Sequence, residues 1–249
     1  MSEHFVRQAR GPSVLLMKEK CQEDVRWDAF DPETWGDAAI PVSNGGRGSA
    51  WFIERPAQQD WVLRHYLRGG LVARISHDLF LFLGEERVRS FQELRLLDFL
   101  LEQGLPVPTP VAARYDRAGG GLYRASILIE RIPGARTLLS AAQSRGSELP
   151  DSETLAETGR QIRRFHLTGL DHVDLNLNNI LLAPAGIYLV DFDKCRLHSA
   201  QQSRAKWQDS NLARLHRSLH KELQDWPEAV LQQLWRDLLT GYESQGNTL

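Results

Sequence analysis

Two short apolar segments lie between residues 172 and 193, and acidic or amide side chains flank both of their outer ends. Residues 183–186, which include a proline and a glycine, separate the segments, and the second segment covers residues 187–190. Apolar runs of this length joined by such a turn predict a β-hairpin. Folding the hairpin brings the polar residues at its open end together, although they are distant in the chain.

These polar residues have a specific spacing. Asp174 and Asn179 come before or at the entry to the first strand, and Asp191 follows the second. Carboxylate and amide oxygens are the ligands that magnesium prefers. The spacing His-x-Asp-Leu-x-x-x-Asn, followed after a hairpin by Asp-Phe, is the pattern with which protein-kinase-like enzymes place a catalytic Asp, a metal-binding Asn and a metal-binding Asp. We prefer this interpretation to an ordinary hairpin with solvated ends, because both halves rarely occur together by chance.

Length and composition place the chain among ordinary globular proteins. Its 249 residues are enough for one large domain or two lobes, and a formal net charge of -2 shows no global bias toward nucleic acid. Two cysteines give no disulfide framework, which fits a reducing cytosol. The sequence has neither an apolar run near the ~20 residues of a membrane-spanning helix nor an N-terminal signal peptide. We therefore expect a cytosolic protein that does not bind nucleic acid, for which contact with a membrane surface stays open.

A glycine-rich turn at residues 43–49 leads into an apolar strand. Glycines permit the positive φ angles and the close backbone approach with which N–H groups hold phosphate oxygens. Upstream of a kinase-type hairpin, we expect this turn to cover the phosphates of ATP, with contributions from Gly45, Gly46, Gly48 and Ser49. Trp51 stands where protein kinases have a third glycine, so the cover would differ from theirs.

The strand predicted at residues 61–66 is expected to supply the cation for the α- and β-phosphates. Protein kinases use a lysine there, whereas this chain has Arg64. Arginine also binds phosphate oxygens, but its reach and geometry differ from those of lysine. Arg68 is a second candidate for this role, and a solvated arginine at a strand edge is the alternative for Arg64.

Residues 87–103 have the apolar spacing of an amphipathic helix. Glu93 lies beside its apolar stripe and is a candidate partner for the strand cation, as in the Lys–Glu pair of kinases. The alternative is that Glu93 is an ordinary glutamate on the exposed face of the helix. Residues 152–166 predict a second helix, with Ser152 as its N-cap, that leads into the catalytic loop.

Residues 130–134 are the expected hinge between two lobes, residues 1–130 and 131–249. The backbone of Glu130 and Ile132 is where we expect an adenine ring to form hydrogen bonds.

Residues 194–221 differ from the rest of the chain in their charge. Seven Lys or Arg side chains and one acid give this stretch a formal charge of +6 with histidine neutral. Lys194 and Arg196 directly follow the predicted metal ligand, where an acceptor substrate would dock. Leucines at helical spacing in residues 212–223 support a second interpretation, in which some of these cations form the solvated face of a core helix.

Five groups of residues, taken together, resemble a known family: residues 46–48 with 51–52, 63–66 with 68–70, 89–91 with 93, 172–176 with 179–181, and 191–195. They resemble the Kdo kinase family of Gram-negative bacteria, over residues 43–220. The resemblance implies an α+β, bilobal protein-kinase-like fold, with a β-rich N-lobe that holds one main helix and a mainly α-helical C-lobe that holds the catalytic hairpin. It also implies ATP and Mg²⁺ as co-substrates and peripheral attachment to the cytoplasmic face of the inner membrane.

For the activity, the resemblance implies phosphorylation of the 4-hydroxyl of 3-deoxy-D-manno-octulosonic acid (Kdo) on a lipid A precursor, in the biosynthesis of the lipopolysaccharide inner core. Asp174 matches the catalytic Asp, and Asn179 and Asp191 match the magnesium ligands. Arg68, Lys194 and Arg196 are our candidates for acceptor binding. The implied partners are the Kdo-bearing lipid and an anionic membrane surface, and the oligomeric state is not predicted.

Two alternatives stay open at this point. One is a kinase of another small acceptor, such as a core heptose, an aminoglycoside or a choline-like alcohol. An aminoglycoside would need an acidic cleft, and the basic stretch argues against it. The other is a catalytically weak kinase-like binding module, which would explain Arg64 and the missing third glycine. The presence of Asp174, Asn179 and Asp191 argues against that module, because a binding module does not need the residues of phosphoryl transfer.

Overall fold

A computed structural model describes residues 5–42, 49–56, 58–68, 77–143, 150–199 and 205–244. Contacts between Cα atoms divide the chain into two units. The first unit consists of Met1–Phe99 and Pro108–Arg131, and the second consists of Leu100–Val107 and Ile132–Leu249. The first unit is rich in β-strands and the second is mainly helical, which confirms the predicted α+β class.

The first unit is built on one antiparallel sheet. Its described strands are β1 (Phe5–Arg10), β2 (Ser13–Lys18), β3 (Ala39–Pro41), β4 (Ala50–Ile53), β5 (Trp61–His65), β6 (Phe80–Leu81), β7 (Pro110–Arg117) and β8 (Leu122–Glu130). The strands pair in the order β1-β2-β7-β8-β5-β4-β3, and β6 pairs with the beginning of β8. The four apolar residues of β2 are all buried, as expected of a strand covered on both faces.

Helix α2 (Arg89–Glu102) lies within the range predicted from its apolar spacing. Phe91, Leu94 and Leu97 are buried and form its apolar stripe, which the buried Val88 extends just before the helix begins. The ring of Phe91 packs edge-on against Tyr115 of β7, with 5.3 Å between ring centroids. This packing holds α2 against the sheet and determines which way its polar residues point.

The second unit contains helices and two small β-sheets. Its described helices are α3 (Leu138–Gln143), α4 (Ser152–Leu167), α5 (Lys206–Glu222) and α6 (Glu228–Glu243). Its described strands are β9 (Arg136–Thr137), β10 (Leu170–Asp171), β11 (Ile180–Ala183), β12 (Gly186–Leu189) and β13 (Arg196–Leu197). The remaining short helix, α1 (Pro32–Trp35), belongs to the first unit. None of the described helices combines the length and the hydropathy needed to span a membrane.

The predicted hairpin is confirmed as the pair β11 and β12. Ala183 pairs with Gly186, so residues 184 and 185 form its two-residue turn. Strand β9 pairs with the other edge of β11, and β10 pairs with β13. The hairpin is therefore a rigid element on which the residues at its open end are fixed.

The N-cap predicted for α4 is wrong by one residue. The carboxylate of Asp151 accepts a hydrogen bond from the backbone N–H of Thr154 at 2.7 Å, whereas Ser152 lies inside the helix. The Ser152 hydroxyl instead donates to Asp237 of α6 at 2.8 Å. Adjacent Asp and Ser are both good caps, so the contact with α6 could not be read from the helix pattern.

Helices α4 and α6 approach each other closely at two glycines. A Cβ atom built on Gly159 would lie 2.0 Å from the carbonyl oxygen of Leu238, and one on Gly241 would lie 1.8 Å from that of Ala156. Both obstacles are backbone atoms of the facing helix, so they cannot move aside like a flexible side chain. The glycines thus set the distance between α4, which leads into the predicted catalytic loop, and α6.

Replacing Gly241 with alanine tests this close approach. Alanine normally stabilises a helix over glycine by roughly 0.5–1 kcal/mol, but here its methyl group would overlap α4. We expect Gly241→Ala to lower the free energy of unfolding by about 2 kcal/mol or more, measured by urea denaturation. Thr240→Ala, on the exposed neighbour, is the control and should change it by less than about 0.5 kcal/mol. A stabilised Gly241→Ala variant would contradict the close packing.

Candidate active site

The loop between β10 and β11 is anchored by His172, whose side chain is only 1% exposed. Its ring Nε2 lies 3.0 Å from the carbonyl oxygen of Val190, at the end of the hairpin. Its backbone N–H donates to the side-chain oxygen of Asn211 in α5 at 2.9 Å. The ring also packs edge-on against Phe192, with 5.4 Å between centroids. His172 therefore ties the loop both to the far end of the hairpin and to α5.

The protonation state of His172 follows from these contacts. Burial lowers the pKa of its imidazole below the ordinary value of 6.5, which favours the neutral ring. A carbonyl oxygen can only accept, so Nε2 carries the single proton and donates to Val190. Nδ1 has no hydrogen-bond partner in the described part of the chain, which fits a lone pair there better than a second N–H. His172 is thus a neutral positioning residue.

Asp174, Asn179 and Asp191 lie at the open end of the hairpin and line one open groove of about 930 Å³. The side-chain amide of Asn179 donates to the carbonyl oxygen of Asp174 at 2.9 Å. The carbonyl oxygen of Asn179 accepts from the backbone N–H of Val190 at 3.0 Å, directly before Asp191. The three predicted site residues are thus brought together by one side-chain and one backbone hydrogen bond within the loop and the hairpin.

The backbone of Asp191 has a φ angle of 64°, in the left-handed region. Non-glycine residues adopt this conformation infrequently, although aspartate does so more often than most. Such conformations persist where the surrounding structure holds them, and they concentrate at functional sites. Here the flanking residues Val190 and Phe192 are both held by His172, which explains how the turn is maintained.

The oxygen atoms at the hairpin fit a magnesium ion. Among the residues that the structure describes, no three His, Cys, Asp or Glu side chains are grouped to hold a metal. Magnesium does not need such a group, because one or two carboxylates and the phosphates of a substrate commonly complete its coordination. The Asn179 side-chain nitrogen donates to the carbonyl oxygen of Asp174, so its side-chain oxygen is the atom available to a metal ion.

In the first unit, Arg64 of β5 and Glu93 of α2 form an ion pair. Glu93 is 3% exposed, and its carboxylate accepts hydrogen bonds from the Arg64 guanidinium and from the hydroxyl of Tyr66. A buried carboxylate requires such partners because its desolvation is costly. Glu93 is therefore not the exposed helix glutamate of the alternative interpretation. Tyr66 is a partner of this pair that the sequence pattern did not identify.

The predicted phosphate-covering turn lies largely outside the described residues, since Gly45, Gly46 and Gly48 are not among them. Ser49 is described, and its carbonyl oxygen accepts from the backbone N–H of His65 at 2.8 Å. The backbone N–H of Arg68 donates to the carbonyl of residue 77 at 2.6 Å, and its guanidinium lies 5.3 Å from the ring centroid of Phe80. The roles assigned to these residues stay predictions.

The two residues predicted to bond adenine differ in their backbone contacts. The N–H of Glu130 donates to the carbonyl oxygen of Thr109 at 2.9 Å, so this group is already used within the fold. The backbone of Ile132 makes no hydrogen bond to another described residue. Ile132 is thus the better placed of the two for bonding a ligand, and the adenine contact itself stays a prediction.

The basic residues of the stretch 194–221 differ in whether they line the groove, and the acceptor roles of Lys194 and Arg196 stay predictions. Lys194 and Arg196 are exposed and do not line it, whereas Arg214, Arg217 and Lys221 of α5 do. Their spacing of three and four residues, out of phase with the buried leucines of α5, was the signal that could have identified them.

Three comparisons with known proteins agree with one another. Residues 33–242 match the model of the Lipopolysaccharide kinase (Kdo/WaaP) family. A 3-deoxy-D-manno-octulosonic acid kinase of Stenotrophomonas maltophilia (strain R551-3) is 48% identical over 216 residues, which is 86% of this chain and 83% of the relative. The protein of that name from Xanthomonas campestris pv. campestris (strain B100) is 46% identical with the same coverage.

The fold also has a solved counterpart. A structure described as WaaP in complex with acyl carrier protein aligns with a TM-score of 0.55, covering 90% of this chain and 88% of the other. Only 16% of the aligned residues are identical, so this likeness concerns the fold alone.

The neutral state of His172 predicts how stability depends on pH. Its pKa in the folded protein is below that in the unfolded chain, so the unfolded chain binds more protons as the pH falls below about 6.5. The stability from neutral His172 is fully present above that pH and declines below it. We expect His172→Phe to remove about 1 kcal/mol per pH unit from the slope of unfolding free energy between pH 6.5 and 5.5. The exposed His77→Gln is the control, and equal slopes for wild type and His172→Phe would show that His172 is protonated when folded.

Proposed function

The chain belongs to the lipopolysaccharide kinase (Kdo/WaaP) family, and from this premise we propose that it transfers the γ-phosphate of ATP to the 4-hydroxyl of Kdo on a lipid A precursor. The observation that carries the reaction class is the grouping of Asp174, Asn179 and Asp191 on one groove. The relatives named 3-deoxy-D-manno-octulosonic acid kinase support Kdo as the acceptor sugar. The protein is therefore a kinase of lipopolysaccharide core biosynthesis.

Asp174 is the catalytic residue in this proposal. Its carboxylate is 57% exposed and lines the groove, where it can accept a hydrogen bond from the sugar hydroxyl. The hydroxyl oxygen forms a bond to the γ-phosphorus while the bond from that phosphorus to the β,γ-bridging oxygen breaks, and ADP leaves with the electron pair. The hydroxyl proton passes to Asp174 late in the transfer and is then released to water. The products are the sugar phosphate, ADP and one proton.

Asn179 and Asp191 are the proposed ligands of magnesium. When bound, the ion neutralises charge on the β- and γ-phosphates. The hydrogen bond from the Asn179 amide to Asp174 sets which atom of that amide faces the groove. The same bond couples the ligand to the catalytic loop, so Asp174 and the phosphate-holding residues keep a common geometry.

The first unit contributes Arg64, held by Glu93, as the proposed cation for the α- and β-phosphates. The carboxylate of Glu93 is bonded by both Arg64 and Tyr66, which restrains the guanidinium in one orientation. Arginine binds phosphate oxygens through two hydrogen bonds, so it can take this role although protein kinases have a lysine at this position. We further propose that residues 1–130 and 131–249 act as the N-lobe and C-lobe of a bilobal kinase, with adenine bonded by the backbone near Ile132.

The acceptor is a lipid, so the enzyme has to reach a membrane surface to find it. We propose peripheral attachment at the cytoplasmic face of the inner membrane. The formal charge of +6 on residues 194–221 supports attraction to anionic lipid, because each basic residue near such a surface contributes about 1 kcal/mol.

Loss of the Asp174 carboxylate tests the proposed reaction. We expect Asp174→Asn to lower kcat for transfer of radiolabelled γ-phosphate to Kdo-bearing lipid A precursor by about 10²- to 10⁴-fold, because the amide cannot accept the proton. Asp225→Asn, an exposed site with the same chemical change, is the control and should keep wild-type activity. An Asp174→Asn variant within a few-fold of wild type would remove Asp174 from the mechanism. Absence of transfer by the wild-type protein would show that Kdo is not the acceptor.

A further inference from the structure

One wall of the groove at the hairpin carries cations that the proposed mechanism does not use. This wall is the face of α5 that bears Arg214, Arg217 and Lys221. These residues are three and four positions apart, so their side chains share one side of the helix. Leu212, Leu215 and Leu219, in the same helix, are buried. Packing of the leucines into the second unit thus holds the cationic side toward the groove.

The arginines of this wall have few partners within the fold. Arg214 has one nitrogen 3.5 Å from a carboxylate oxygen of Asp174, and the two side chains are 48% and 57% exposed. A contact this long between exposed groups contributes little to stability. It leaves most of the five N–H donors of the guanidinium available to bind a ligand. Arg217 forms no ion pair or side-chain hydrogen bond with another described residue. Lys221, by contrast, is paired with the adjacent Glu222 at 2.9 Å.

Two histidines of α5, His216 and His220, also line this wall. The Nε2 atoms of His216 and His220 are 3.1 Å apart, so one ring donates to the lone pair of the other. Burial and the neighbouring His220 lower the pKa of His216. Glu228 faces His220 at 3.6 Å, and the ring of Trp235 packs against His216. The arginines, which cannot be deprotonated in proteins, supply permanent positive charge to this wall.

The position of Arg214 connects this wall to the acceptor. A sugar hydroxyl held by Asp174 would lie beside the arginines, and the proposed acceptor is a sugar acid whose carboxylate is a few bonds from that hydroxyl. A guanidinium matches a carboxylate with two parallel hydrogen bonds. We propose that Arg214 and Arg217 bind the carboxylate of the acceptor sugar and thereby select a sugar acid over a neutral sugar. This inference rests on the proposed function and adds a specificity-determining pair of residues to it.

Selection follows from the cost of an unmatched charge. Binding of a neutral sugar would displace water from the two guanidinium groups without replacing its hydrogen bonds. Sites that provide polar groups for one substrate discriminate strongly against an analogue that lacks the matching group. The same arginines would lie close to the reacting hydroxyl, so their contacts also orient the sugar for Asp174.

A pair of acceptors that differ only at the carboxylate tests this inference. The two probes are Kdo-bearing lipid A precursor and the same molecule with its Kdo carboxylate converted to the methyl ester. For wild type, we expect kcat/KM for the ester to be about 10- to 100-fold lower than for the acid. This factor corresponds to the loss of one hydrogen bond to a charged group. For Arg217→Gln, we expect acid and ester to agree within about threefold, mainly because KM for the acid rises.

Two further variants keep the test specific. Arg217→Lys keeps the positive charge but cannot form two parallel hydrogen bonds to a carboxylate. We expect it to retain part of the preference for the acid that Arg217→Gln loses. Arg236→Gln removes an exposed arginine from the neighbouring helix α6 and should leave both acceptors as in wild type. Thermal unfolding of each variant checks that the exposed substitutions leave the fold unchanged.

The outcomes separate this inference from the function on which it rests. Equal wild-type activity on acid and ester would overturn the carboxylate assignment while leaving Kdo phosphorylation intact. A third acceptor, without lipid phosphate groups, covers the other anion of the substrate. If Arg217→Gln removed sensitivity to those phosphates and kept the preference for the acid, the arginines would bind phosphate and the assignment would be wrong. Failure of wild type on every Kdo acceptor would overturn the proposed function and this inference together.

Discussion

The hydrogen bond from the neutral ring of His172 to the carbonyl oxygen of Val190 holds the proposed reaction centre together. It joins the loop that carries Asp174 to the strand end that carries Asp191, and it does so inside a buried environment where such a bond is strengthened. A charged ring at this position would be disfavoured by burial, so the bond and the protonation state support each other. The left-handed backbone of Asp191 follows directly after this contact.

The helices supply the rigid surroundings that this contact needs. Asn211 of α5 accepts from the His172 backbone and donates to Asp171 at 2.8 Å, so one buried amide joins the loop, β10 and α5. The same helix turns its arginines toward the groove, which gives the reaction centre and the proposed acceptor wall a common frame. The glycine contact between α4 and α6 determines how closely the helix that precedes the loop is packed. A substitution far from the groove can therefore change its geometry.

Local patterns in the sequence predicted the elements, and contacts between distant residues decided the details. The hairpin and α2 were predictable because apolar spacing and turn residues determine them locally. The partner of Ser152 was not, because Asp237 is distant in the chain and belongs to another helix. The basic stretch identified a cationic surface, but only the orientation of α5 distinguishes Arg214 and Arg217 from Lys194 and Arg196. Tyr66 was missed as a partner of Glu93 because no spacing rule relates a strand residue to a helix residue.

Binding of Mn²⁺, in place of Mg²⁺, together with a non-hydrolysable ATP analogue would decide whether the residues at the hairpin form one phosphoryl-transfer site. Electron paramagnetic resonance of the bound Mn²⁺ gives its affinity in wild type, Asp191→Asn and the control Asp225→Asn. We expect the nucleotide to tighten Mn²⁺ binding to wild type and to the control, and Asp191→Asn to weaken it by about tenfold or more, since a ligand charge is lost. Equal Mn²⁺ affinity in wild type and Asp191→Asn would contradict the assignment of the hairpin as the catalytic centre.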